Sequence, residues 1–404
     1  EIFSEGDVFV MMSRQLRLFS ILFFTLIMLW SVTLAVLAFT RPVKRQGAGN
    51  TGIKLHSLFS EGAILQREKK IPVWGTARSG EPIIVEIAGQ RVSTTAENDK
   101  FMVYLKPLKA GGPYTLKVQG DTTVEVKNLY AGEVFVCGGQ SNMEWPLAAA
   151  ENGTAAIADA NDPNLHFYHV PKTMSFEPLK DVNAKWEVCT PANAGGHTAV
   201  GYFFAKLLRK KLKVPVGLIE SNWGGTPAEA WTSREALRAK PSLDYMVKAQ
   251  DDYRQRYPAL KEAYDRDMQK YQKDLERSVA ENTAAPKKPQ EPGNPLNPWA
   301  PSTLYNGMIA PLLPYGIRGA IWYQGESNAG RAYQYGTLFP TMIQNWRDDW
   351  LQDEFPFYFV KLAPWEPAEP GTWPELRETQ LKTLKMKNTG MAVITDVGDK
   401  TDIH

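Results

Sequence analysis

The stretch Val134-Phe-Val-Cys-Gly-Gly-Gln-Ser-Asn-Met-Glu-Trp-Pro146 decides the reading of this chain. Val134 to Val136 is a short apolar, β-branched run of the kind that forms a buried strand, and Gly138-Gly139 permits a sharp turn at its end. Ser141 then stands at the carboxyl end of a strand, where open α/β sheets place their ligands. A serine there is a candidate nucleophile if a base reaches it, because an unassisted hydroxyl is a poor one. Taken alone, the same residues also read as an ordinary strand-to-loop turn with a capping serine. The rest of the chain separates the two.

Downstream, the chain alternates strand, loop and helix. The predicted strands are Val134–Val136, Leu165–Val170, Val214–Glu220, Gly319–Tyr323, Phe357–Leu362 and Met391–Thr395. Helices are expected over Thr198–Lys213, with Tyr202, Phe203, Leu207 and Leu208 as its apolar stripe, over Tyr335–Trp350 and over Pro374–Lys387. This rhythm predicts a parallel sheet covered on both faces. Upstream, residues 51–130 read as short strands divided by turns such as Ser79-Gly80 and Gly111-Gly112-Pro113, hence an all-β sandwich-like module. Residues 131–404 form the α/β unit, interrupted at 234–302 by a helical and proline-rich insertion. In it, tyrosines from Tyr253 to Tyr271 recur at helical spacing, with Pro258 expected to break the helix or to start its second half. Pro286 to Pro301 recur every third residue, the period of a stiff polyproline II connection.

Composition excludes several classes. Lys plus Arg (46) balances Asp plus Glu (44), so nucleic acid is not an expected partner. Two cysteines, Cys137 and Cys189, make neither a disulfide framework nor a zinc site. No His/Cys/Asp/Glu spacing suggests a metal and no glycine pattern a phosphate loop, so no cofactor is expected. Within the leader, residues 1–50, Leu18 to Phe39 is 22 residues without a charge, about 33 Å as a helix. It reads as a signal peptide, with Val36-Leu37-Ala38 offering a small-residue cleavage site, or as a retained anchor. Either way the protein is expected to be exported, touching a membrane only through that segment.

Three more segments follow predicted strands. Ile219 to Trp231 contains Gly224-Gly225, whose unshielded N–H groups suit a developing oxyanion. Ile321 to Asn328 supplies Gln324, Glu326 and Asn328, and Asp396 to His404 supplies Asp402 and His404. Of five histidines, His56 lies among the early strands, His166 and His169 in a predicted strand and His197 before a helix. His404 alone follows a strand in an acid-bearing loop, the setting of a general base.

In this order, GGQSNMEWP, GGTPAEAW, WYQGESNA and DVGDKTDIH resemble the sialate O-acetylesterase group of the SGNH (GDSL-like) hydrolases. The likeness begins near Leu55, takes in LFSEGAILQREKKIPVWGTA, and runs to His404. It implies a three-layer α/β/α hydrolase domain, a metal-free serine esterase mechanism and O-acetylated sugars as substrates. Residue by residue, it makes Ser141 the nucleophile and His404 the base. The N–H of Ser141, a backbone N–H at Gly224 or Gly225 and the Gln324 side chain become the oxyanion hole. Asp402 is the favoured orienting acid and Glu326 the alternative. Many SGNH hydrolases end in Asp-x-x-His, whereas this chain has Asp402-Ile403-His404. Because relatives continue past this histidine, the chain also reads as C-terminally truncated.

Overall fold

A computed structural model describes residues 52–366, 369 and 371–404. The apolar leader segment lies outside them. Fourteen strands are resolved among the described residues. Those before the first glycine turn are β1 (Lys54–Leu55), β2 (Ile64–Gln66), β3 (Ile71–Thr76), β4 (Pro82–Ile87), β5 (Gln90–Thr95), β6 (Lys100–Leu105), β7 (Gly111–Gln119) and β8 (Thr123–Gly139). They are followed by β9 (Asp162–His169), β10 (Trp186–Cys189), β11 (Val216–Asn222), β12 (Gly319–Tyr323), β13 (Phe357–Val360) and β14 (Thr389–Ala392).

β8 is the spine. Its first half pairs antiparallel with β7, from Gln119 opposite Thr123 to Gly111 opposite Ala131. Its second half lies parallel to β11 and β12 in the order β10-β9-β11-β8-β12-β13-β14, where only β10 runs antiparallel. The 130/131 boundary drawn from the sequence falls inside this one 17-residue strand. The chain builds outward from β8 first through β9 and β11, then on the other side through β12. The direction reverses between β8 and β12, and the crevice at such a reversal is where α/β sheets bind ligands.

Among the described residues seven α-helices carry the connections: α1 (Ser141–Glu144), α2 (Gly153–Ala158), α3 (Ala199–Leu212), α4 (Arg234–Arg238), α5 (Pro241–Ala280), α6 (Ala332–Trp350) and α7 (Thr372–Thr383). Thr198 caps α3 by accepting from the Gly201 N–H. The expected apolar stripe of this helix is corrected. Phe203 and Leu207 are exposed, and the helix instead buries Ala199, Gly201, Tyr202 and Ala205. Small residues let it lie close to β8, for a Cβ on Gly201 would sit 3.2 Å from Cys137 Sγ. On the next residue of β8, hence the opposite face of the sheet, Trp346 of α6 comes within 3.2 Å of where a Gly138 Cβ would be. Trp231, Trp322, Trp346 and Trp350 are fully buried in this core. Both cysteines are buried and unpaired.

The long helix is also corrected. α5 runs unbroken for 40 residues with Pro258 inside it. Ion pairs one turn apart, such as Lys270–Asp274 and Arg266–Glu262, support its exposed length. The proline-rich return segment fastens to its first half, where Gln250 donates to Pro295 O (2.7 Å) and Tyr253 to Gly293 O (2.6 Å). These contacts hold the helix N-terminal to Pro258 and offset part of what an interior proline costs.

Where β8 enters the parallel sheet, buried Glu133 accepts from Arg67 Nε (2.7 Å), Gln66 Nε2 (3.0 Å) and the Arg318 guanidinium. Burial by itself would raise this carboxyl; the hydrogen bonds from Arg318, Gln66 and Arg67 outweigh it and hold the group below its ordinary range. Glu133→Ala leaves Arg67 and Arg318 with Glu68 as their remaining acidic partner and should cost about 1–3 kcal/mol, read from the denaturant midpoint. Because the folded-state pKa is depressed, the stability this group contributes is present above the ordinary glutamate pKa and lost as pH falls through the lowered value.

Candidate active site

Three strands end together at the β8/β12 crevice. Gly139 is level with Asn222 of β11 and with Tyr323 of β12. Gly139 has φ +140°, and a Cβ there would meet Tyr323 O at 2.2 Å, so only glycine fits. The chain turns, the Gln140 N–H donates to Tyr323 O (2.9 Å), and Ser141 opens α1. Ser141 is half-buried, and its hydroxyl has no hydrogen-bond partner among the described residues. It lines a cavity of about 360 Å³ together with Glu144, Trp145, His169, Glu220 and Asn222.

His404 is not among the residues that line this cavity and meets it only through Trp145, without a hydrogen bond to Ser141. Its imidazole stacks on Trp145, with centroids 4.7 Å apart and planes at 13°. The backbone N–H of His404 donates to Asp402 Oδ1 (3.0 Å), while the imidazole Nδ1 lies 3.9 Å from the same oxygen, beyond hydrogen-bond reach. Asp402 is exposed. Glu326 is half-exposed as a residue, but its Oε2 is buried and unpartnered while Oε1 accepts from Asn142 Nδ2 (3.0 Å). Burial raises its carboxyl above the ordinary range. The structure thus sets Asp402 beside the imidazole, and Glu326 beneath the residue that follows Ser141.

The proposed oxyanion donors are placed as follows. Gly224 lies against Ser141, since a Cβ there would be 3.4 Å from Ser141 Cβ. Its N–H, however, donates to Glu144 Oε2 (2.6 Å). Gly225 has φ +72°, faces open space, and accepts on its carbonyl from Trp299 Nε1 (2.8 Å). Gln324 is fully buried, and its amide donates to Asn328 Oδ1 (2.7 Å) and Thr226 O (3.2 Å). Asn328 in turn accepts from the Ala228 N–H (2.9 Å) and donates to Glu229 (2.9 Å). These side chains therefore bolt the GGTPAEAW loop to the WYQGESN loop.

Two glycine substitutions should behave oppositely. Gly224→Ala brings a methyl within 3.2 Å of Glu144 Oε2 and 3.4 Å of Ser141, so kcat should fall about tenfold or more with little change in Tm. Gly225→Ala meets no atom within 4 Å but holds a left-handed φ, so it should cost about 1–2 kcal/mol of stability while activity falls less. Paired thermal melts and kinetics check this; the reverse pattern would exchange the two roles.

Sequence reading missed one group. Glu220 on β11 is level with His169 at the end of β9, and its Oε2 lies 3.4 Å from His169 Nδ1 and 3.0 Å from His197 Nδ1. Its Oε1 accepts from the Thr198 N–H (3.1 Å). Burial would raise Glu220, but hydrogen bonds from His169 and His197 more than offset it and lower the carboxyl. The same hydrogen bond is the main reason His169 is raised. Strands far apart in the chain meet here, and no local pattern announces it.

A parallel-sheet α/β protein with a cavity lined by Ser141 and by the carboxyl ends of β9 and β11 is the class this structure defines. Residues 131–280 and 290–404 match the family model described as carbohydrate esterase, sialic acid-specific acetylesterase, and the chain belongs to that family. It is 30% identical over 394 residues to the sialate O-acetylesterase of Rattus norvegicus, covering 88% of this chain and 70% of that protein. It is 28% identical over 388 residues to the Homo sapiens protein of the same name, covering 86% and 66%. A crystal structure of a carbohydrate acetylesterase from Xanthomonas citri superposes with a TM-score of 0.71 at 37% identity, covering 87% of this chain and 71% of that one.

Proposed function

We propose that this chain is a serine esterase that removes O-acetyl groups from sugars through an acetyl-serine intermediate. The observation that carries the reading is Ser141 at the shared end of three parallel strands, in a cavity lined by Trp145, on whose ring His404 stacks. Family membership and the named relatives support the substrate class. The finer architecture belongs to the proposal too: a three-layer α/β/α SGNH domain entered through β8 from an all-β module, and export by way of residues 18–39.

In this mechanism Ser141 Oγ attacks the acetyl carbonyl while His404 accepts its proton. The carbonyl π electrons move to oxygen, and the resulting oxyanion is met by N–H groups of Ser141 and the Gly224-Gly225 loop. Collapse expels the sugar oxygen, which takes the proton from His404, leaving acetyl-Ser141. Water repeats the sequence and releases acetate. Gly224 can join only if Glu144 gives up its N–H, so a hinge of that side chain accompanies catalysis. A burst of nitrophenol from 4-nitrophenyl acetate tests the acyl-enzyme, and an acyl-length series tests the preference for acetyl. Glycan binding without any burst would support a non-catalytic binder on the same fold.

Trp299 favours a sugar substrate. Its ring is 58% exposed, unusual for so large an apolar surface, and its N–H bond to Gly225 O fixes it beside the glycine loop. Trp299→Ala should lower kcat/KM for acetylated oligosaccharides about tenfold relative to 4-nitrophenyl acetate. An equal effect on both would make the ring a loop support only.

A further inference from the structure

The pair His169–Glu220 is left over by the acyl-transfer mechanism, although it lines the same cavity as Ser141. Glu220 is 2% exposed and accepts from three groups: His169, His197 and the Thr198 N–H. Glu144 is likewise committed, to the Gly224 N–H and to Lys172. The carboxylates of this wall therefore have their partners already. His169 is different. Its Nδ1 is tied to Glu220, its side chain is 57% exposed, and its Nε2 has no protein partner among the described residues. A ring anchored through one nitrogen to a buried carboxylate presents the other in a fixed direction. Lys172, whose ammonium lies 5.6 Å from the centre of the Trp223 ring, is already paired with Glu144, so His169 carries the grip.

We propose that His169 is a specificity residue that grips a carboxylate on the substrate sugar with its free Nε2–H, and that Glu220 is the positioning residue acting through it. This rests on the esterase reading of Ser141 and assigns an acidic sugar to the same cavity. A charge-assisted bond of this kind is short and directional, and it distinguishes an acidic sugar from a neutral one of similar size. The groups that face His169 set its charge. Glu220 on β11 and Glu144 on α1 favour the cation, Lys172 and burial oppose it, and Glu220 wins. His197 shares Glu220 and lies 4.0 Å from Glu187. The imidazole therefore stays protonated to higher pH than an ordinary histidine, so acidic-sugar binding is strong at low pH and weakens as pH rises through the raised value.

The test is kinetic and uses His169→Gln, a change at an exposed side chain. The substrates are 9-O-acetyl-N-acetylneuraminate, acetylated xylotriose and 4-nitrophenyl acetate. The ratio of kcat/KM for the acidic over the neutral sugar should fall about tenfold, mostly through KM. The rise of wild-type KM for the acidic sugar with pH should flatten in the variant. Equal losses on both sugars, or a kcat loss on 4-nitrophenyl acetate as large as that on the sugars, overturns the proposal. So does an unchanged ratio. Calorimetric binding of unacetylated N-acetylneuraminate to Ser141→Ala protein, with and without His169→Gln, keeps this test separate from the esterase reading. Loss of binding only with the His169 change supports the grip even if no ester is cleaved, and equal binding sinks it.

Discussion

Ser141→Ala is expected to lower kcat for an acetylated sugar by roughly 10⁴-fold or more, because base and oxyanion donors remain without a nucleophile. Residual turnover would be that of a positioned water. The fold should be unaffected. Ser141 Oγ bonds to nothing among the described residues, and the N-cap of α1 is Gln140 rather than the serine. Unchanged melting with lost burst release is the expected pair of results. Turnover near wild type would remove Ser141 from the chemistry.

The second large effect separates two carboxylates. Asp402→Asn should lower kcat about 100-fold, because an amide neither fixes the imidazole tautomer nor stabilises the imidazolium. Glu326→Gln should act mainly on stability. Its carboxyl is raised by burial, so the folded state holds a proton that the unfolded chain releases first. The stability it contributes is full below the ordinary glutamate pKa and is lost as pH rises through the raised one. Glutamine carries no such charge, so the variant should lose this decline, visible in denaturant midpoints measured across that window. A kcat loss far larger for Glu326→Gln than for Asp402→Asn would transfer the orienting role to Glu326.

Much of this was legible in the chain. The strand at Gly319–Tyr323 was placed to the residue, and Thr198 was recognised as a cap, because local periodicity and side-chain capping are properties of neighbours in sequence. The stripe on α3 was misread, since periodicity marks an apolar face without saying whether bulk or closeness will be buried. There the close approach of Gly201 to Cys137 chose closeness. Pro258 was misjudged for a related reason: its local cost is fixed by the chain, but the segment around Pro295 that steadies the helix comes from elsewhere.

By itself the sequence determined the alternating strand and helix order, the four loop motifs and the serine at a strand end, all of which follow from residue type and spacing. Tertiary structure alone decided which polar groups were already spent. Gln324 turned inward to Asn328, the Gly224 N–H went to Glu144, and His169 met Glu220 across two parallel strands. A hydrogen bond between distant segments depends on register and distance after packing, and neither quantity is written in the local pattern.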